Sequence, residues 1–210
     1  MKMIDYSCVR FMDELASKNA VPGGGGAAAL SGAMGTALAG MVCNLTTGKK
    51  KYAQYEEDIQ RIMKEADRIQ RALLEMVDLD AENFLPLSKA YGLPKETEEE
   101  KKHQEEIMEK CLVQACSVPV EIVKKCYEAI LLHEELVDKG SILAISDVGV
   151  GVQCLRSGII SAWLNVQINI NSIKNQAYVS KVENEVKPLL SKGIEICDDV
   201  YSKVDKKLAK

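Results

Sequence analysis

The segment from Val21 to Gly48, VPGGGGAAALSGAMGTALAGMVCNLTTG, carries no charge and consists largely of Gly, Ala, Ser and Thr. Lys49, Lys50 and Lys51 follow it directly. Gly23 to Gly26 allow positive φ and a close approach of another chain or ligand to the backbone. A helix starting there points its unpaired N–H groups at whatever fills the loop. Ala28, Gly32, Thr36 and Gly40 recur every fourth residue, as do Ala27, Ser31, Gly35 and Ala39, so the helix has two adjacent stripes almost without side chains. A membrane span fits the length and the missing charge. The low content of Leu, Ile and Phe and the charge density of the remaining chain argue against one. A P-loop fails too, because Cys43 stands where its first Gly belongs and Lys50 where Ser or Thr belongs. The favoured reading is a buried, tightly packed helix with a ligand or a partner subunit at its glycine-rich start.

The chain has 210 residues with 47% hydrophobic and 28% charged, which suits one soluble domain spanning residues 1–210. A net charge of −4 recommends neither nucleic acid nor an anionic membrane as partner. Residues 1–20 lack the apolar core of a signal peptide and read as an amphipathic helix with Ile4, Cys8, Phe11, Met12 and Leu15 on one side. Seven cysteines without a C-x-x-C pair point to a reducing, cytoplasmic location. Helical periods run from Tyr52 to Tyr91, from Thr97 to about Asp138, from about Asp147 to Ile173 and from about Tyr178 to Leu208. Thr97 and Glu100 form a capping-box signature, Pro119 is expected to bend its helix and Pro188 to interrupt the last one. The expected fold is all-α, about six helices in an antiparallel bundle with proline bends.

The Asp147–Ile173 helix has two charges, Asp147 and Arg156, and reads as buried nearly all round. Ser157, Ser161, Asn165, Asn169 and Ser172 share one stripe of it. They serve either hydrogen bonds between helices or subunits, or the lining of a heterocyclic ligand. Asp80 falls with Leu73, Met76, Val77, Phe84 and Leu87 on a face expected to be buried, where desolvation raises a carboxyl pKa toward the range of acid–base work. Asp78 falls with Glu75 and Glu82 on the solvated face. Ser146 or Asp147 suits an N-cap. His103 and His133 read as lying in charged surroundings, and no ligand spacing suggests a metal site.

Taken together, PGGGGAAALSGAMGTALAGMVCNLTTGKKKY, Asp80 with Phe84 ahead of Ala90 to Lys95, Ile145 to Gly151 (ISDVGVG) and Ala162 to Asn169 (AWLNVQIN) resemble the cyclodeaminase/cyclohydrolase family of folate one-carbon enzymes. The resemblance runs across nearly the whole chain. It implies an all-α homodimer with folate sites at the subunit interface, and because the methenyl carbon of such a substrate is itself electrophilic, no metal or cofactor beyond the tetrahydrofolate substrate is expected. One departure is Gly140-Ser141, where many relatives have Gly-Asn. The implied activity is methenyltetrahydrofolate cyclohydrolase, with formiminotetrahydrofolate cyclodeaminase as alternative and a non-catalytic helical dimerisation module as the bland one. Asp80 is then the leading acid–base and Asp147 an electrostatic or binding group. Gly23, Gly24, Gly25, Gly26, Asn44, Ser146, Asn165 and Asn169 are candidates for binding substrate. Lys49, Lys50 and Lys51 are candidates for its anionic, possibly polyglutamylated, tail, or else simply place favourable charge at a helix C-terminus.

Overall fold

A computed structural model describes residues 2–209. Among these, six α-helices and no strand occur: α1 (Cys8–Leu15), α2 (Gly24–Asn44), α3 (Glu56–Ala90), α4 (Glu98–Lys139), α5 (Ile145–Ile170) and α6 (Gln176–Leu208). The start of α4 carries the capping box read from Thr97 and Glu100. Ser7 and Asn175 cap α1 and α6 by accepting from the N–H groups of Arg10 and Tyr178. Helix α5 opens two residues earlier than expected, with Ala144 at its N-cap, so Ser146 and Asp147 lie in its first turn and cap nothing. Helix α6 continues through Pro188 instead of breaking there, as α3 and α4 continue through Pro86 and Pro119. Apolar packing along these long helices offsets the roughly 3 kcal/mol that an interior proline costs.

Consecutive long helices run antiparallel. Glycine sets how closely they approach: a Cβ on Gly35 would meet the Gly151 carbonyl at 2.6 Å and Leu155 Cγ at 2.7 Å, and one on Gly32 would meet Cys126 Sγ at 2.7 Å. The Gly32 and Gly35 positions of the small-residue stripes are thus consumed inside the chain, against α3, α4 and α5, whereas Gly40 has open space where its Cβ would be. Substituting Gly32 or Gly35 by Leu attacks the fold itself. Cys126 sits at the crossing of α2, α4 and α5, fully buried, its sulfur also 3.1 Å from where a Gly158 Cβ would lie. His133 is fully buried as well, not in charged surroundings. Its Nε2 donates to the Gly35 carbonyl at 2.9 Å, and burial pushes its pKa down to about 4.

Two further expectations are corrected. The amino terminus is a short 3-10 turn, Met3–Asp5, followed by α1, and of the five residues expected on its apolar side only Phe11 is buried. Asp78 is buried, not solvated: it accepts hydrogen bonds from the Met3 N–H at 2.6 Å and the Ile4 N–H at 3.3 Å. The helical wheel of α3 shows only that Asp78 leaves the main core, and the amino-terminal segment then covers it. Asp78→Ala is expected to free residues 3–15, with local stability lowered by about 1.5 to 3 kcal/mol, the range for hydrogen bonds to a charged group. Amide exchange should accelerate there and stay unchanged in α4 and α5.

Helix α5 is not buried all round. Ile168 is 67% exposed, and Val150 and Leu164 share its openness, as does Leu143 just before the helix. On the neighbouring helix Met34 and Met41 are also exposed. Side by side, α2 and α5 therefore present an apolar face that this chain alone leaves uncovered.

Candidate functional site

A cleft of about 240 Å³ opens where the start of α2, the end of α5 and the second half of α3 meet. Its lining includes Gly23, Gly24, Gly25, Asp80, Phe84, Tyr91, Asn165, Asn169 and Ser172, with Ala115 and Pro119 from α4. Ile168, on the exposed apolar face, forms part of the rim.

The glycines are here for proximity, not for unusual dihedrals. Gly23 is extended at φ −129°, α2 begins at Gly24, and the one glycine with positive φ among the described residues is Gly48, at 72°. Asp80 explains why Gly25 lacks a side chain, since a Cβ there would collide with all three carboxyl atoms. Gly26 donates its backbone N–H to the same carboxylate. Without side chains, the first turn of α2 closes down on Asp80 and removes much of its contact with water. Burial raises the Asp80 pKa from 3.8 to about 6, the Gly26 hydrogen bond offsetting only part of that. A carboxyl group with a pKa near 6 exchanges protons readily at neutral pH, as a general acid or base must. Asn165 lies against Gly24, where a Cβ would be 3.2 Å from its Oδ1.

The structure brings together Asp80, the four glycines, Asn165 and Asn169. It separates the others. Helix α2 is 21 residues long, so its two ends are about 30 Å apart at 1.5 Å per residue. Lys49, Lys50 and Lys51 follow its far end, in a 3-10 turn (Lys50–Tyr55) pinned by the Ile142 N–H donating to the Tyr52 hydroxyl at 2.9 Å. Lys49 Nζ lies 3.4 Å from Ser141 Oγ, and Ser141 donates its N–H to Thr46 Oγ1 at 2.8 Å. Asn44, exposed, bonds back to the Gly40 carbonyl. Asp147 and Ser146, in the first turn of α5, belong to this second end as well, and Ser146 lines a shallow groove with Ser31 and Ser157. Within one chain the acid and the lysines are a helix length apart. Sequence reasoning missed the wall from α4, because Ala115 and Pro119 carry no chemical signal and reach the cleft only through helix pairing. Among the described residues, no three His, Cys, Asp or Glu side chains converge as a metal site.

Comparison with known proteins gives a consistent neighbourhood. The family model described as formiminotransferase-cyclodeaminase matches residues 7–188. The chain is 40% identical over 198 residues to a methenyltetrahydrofolate cyclohydrolase of Methylorubrum extorquens, covering 94% of this chain and 95% of that protein. It is 29% identical over 191 residues to the formimidoyltransferase-cyclodeaminase of Mus musculus, of which it spans 35%. Among solved structures, formiminotetrahydrofolate cyclodeaminase from Thermotoga maritima superposes with a TM-score of 0.81 at 27% identity, over 97% of this chain and 96% of that one.

Proposed function

The chain belongs to the formiminotransferase-cyclodeaminase family, and we propose that it is a methenyltetrahydrofolate cyclohydrolase, converting 5,10-methenyltetrahydrofolate and water to 10-formyltetrahydrofolate. The observation that supports this chemistry is the half-buried Asp80, with its pKa near 6, under the glycine turn of α2. The methenyl carbon bridging N5 and N10 is an amidinium-type electrophile. Water adds to it while the Asp80 carboxylate takes one water proton. The resulting neutral carbinolamine collapses as its hydroxyl proton passes to solvent and the C–N5 bond breaks. Asp80 returns its proton to N5, and the formyl group stays on N10. Overall one proton is released.

Cyclodeamination is the second reading, favoured by the likeness to the Thermotoga maritima enzyme. There N10 attacks the carbon of the protonated formimino group and gives its own proton to the Asp80 carboxylate, and Asp80 passes that proton to the amine, which leaves as ammonia when its C–N bond breaks. Loss of methenyltetrahydrofolate absorbance with purified protein tests the first reading. Ammonia release from formiminotetrahydrofolate tests the second, and inactivity in both assays removes the enzyme assignment.

The working unit in this proposal is a homodimer. A cleft of about 240 Å³ is smaller than the roughly 300 to 1,000 Å³ typical of ligand sites. It also opens at Ile168 onto the uncovered apolar face of α2 and α5. A two-fold axis perpendicular to these helices buries that face and swings the partner's second end over the first chain's cleft. Lys49 to Lys51 then meet the glutamate tail of a folate bound in the other subunit, with Asp147 and Ser146 beside them. The seven unpaired cysteines suit a cytoplasmic, reducing setting for such a dimer.

A composite site makes complementation possible. Asp80→Asn subunits, mixed and reassembled with subunits bearing Lys49→Gln, Lys50→Gln and Lys51→Gln, should regain roughly a quarter of wild-type sites, the statistical share for random two-fold pairing. Each variant alone stays low. A mixture no more active than the sum of its parts places the lysines outside the site.

A further inference from the structure

One wall of the Asp80 cleft has its hydrogen-bonding sense fixed by the helix that carries it. Asn169 Nδ2 donates to the Asn165 carbonyl at 2.7 Å, and Asn165 Nδ2 donates to the Ser161 carbonyl at 2.8 Å. Flipping either amide would set its oxygen against a carbonyl oxygen, so neither can exchange nitrogen for oxygen. Both Oδ1 atoms therefore turn away from the α5 backbone, and among the described residues no donor is spent on either. Both residues line the cleft, and Asn169 is buried. The facing wall has the opposite sense. The first backbone bond of α2 runs from the Ala27 N–H to the Gly23 carbonyl, which leaves the N–H groups of Gly24, Gly25 and Gly26 outside the helix ladder. Gly26 spends its own on Asp80, and those of Gly24 and Gly25 border the cleft.

We propose that Asn165 and Asn169 determine ligand specificity, accepting hydrogen bonds respectively from the ring N–H and the exocyclic amine of a 2-amino-4-oxo heterocycle. The N–H groups of Gly24 and Gly25 donate to its carbonyl oxygen. This rests on the folate reading and adds the orientation: the amino-pyrimidinone edge faces α5, which leaves the one-carbon bridge toward Asp80. A bound ligand shuts these acceptors off from water, so one that cannot donate is rejected because it leaves their oxygens stranded.

The test is equilibrium binding of tetrahydrofolate and of its 2-desamino-2-methyl analogue, in which a methyl replaces the amine. The wild-type protein should bind tetrahydrofolate about 10- to 100-fold more tightly than the analogue. Asn169→Leu should weaken tetrahydrofolate by a similar factor and leave the analogue unchanged, so that the preference disappears. Equal binding of both ligands by the wild-type protein overturns the inference, as does a parallel loss of both in Asn169→Leu, the mark of a structural role. If Asn169→Leu fails to fold, the wild-type comparison decides alone. Binding of neither ligand overturns the folate reading, and this inference with it.

Discussion

Asp80→Asn is expected to lower turnover by about 10²- to 10⁴-fold, the usual contribution of a general acid or base, and at the same time to stabilise the protein at neutral pH. The second effect follows from the raised pKa. A carboxyl group at about 6 in the fold and near 3.8 in the unfolded chain binds its proton more tightly when folded, so its ionisation works against folding. Stability is complete below the unfolded value and is lost as pH rises through about 6, by up to about 3 kcal/mol at pH 7. The amide variant never ionises and should escape this loss. Its melting temperature should exceed wild type at pH 7 to 8, and the difference should vanish below pH 4. Wild-type kcat/KM should fall below about pH 6, where the resting base is protonated. Glu82→Gln, an exposed change on the same helix, is the control and should alter neither rate nor stability. Asp78→Asn cannot serve as that control, because Asp78 holds the amino terminus. If Asp80→Asn turns over normally, the chemistry moves to Asp147.

Gly25→Ala is the second large effect, expected at about 10²-fold in kcat, the scale on which displacing a reacting group by an ångström costs rate. By helix propensity alone the change should be favourable by about 1 kcal/mol. The new methyl group, however, occupies the Asp80 carboxyl position. The carboxylate must then rotate away or the first turn of α2 must open. Either takes the Gly26 N–H from Asp80 and admits water, so the pH limb of kcat/KM should move down toward ordinary aspartate. Gly40→Ala, in the same helix with open space around its Cβ, should gain stability and keep its rate. A Gly25→Ala enzyme with an unmoved pH limb would show that the turn does not tune Asp80.

Local patterns sufficed for the helices. Thr97 and Glu100, and the apolar period from Ile59 to Leu87, are decided within a few residues of themselves. Asp80 was legible in the same way, because half-burial in a helix is a matter of which face a residue occupies. What could not be read is whatever depends on a distant segment. Asp78 is solvated on any helical wheel until Met3 and Ile4 fold over it. His133 looks like one more polar residue among glutamates until the Gly35 carbonyl arrives from 98 positions away. The lysines misled in the opposite direction: next to the glycine helix in sequence, they are at its other end in space. Serine at 141, unusual by resemblance, bridges Thr46 and Lys49 and so belongs to that far end.

The sulfur of Cys126, wedged where three helices cross, makes this protein its own stopwatch. Its pKa is pushed up to about 12 by burial, and no reagent reaches it while α2, α4 and α5 stay together. Cys8, by contrast, is exposed and should label at once. The interval between the two modifications, followed by mass spectrometry, measures how long the bundle stays shut, which is the rate of global opening whenever labelling outpaces reclosure. A ligand bound in the Asp80 cleft, which α2, α3, α4 and α5 all line, should lengthen that interval by holding these helices closed.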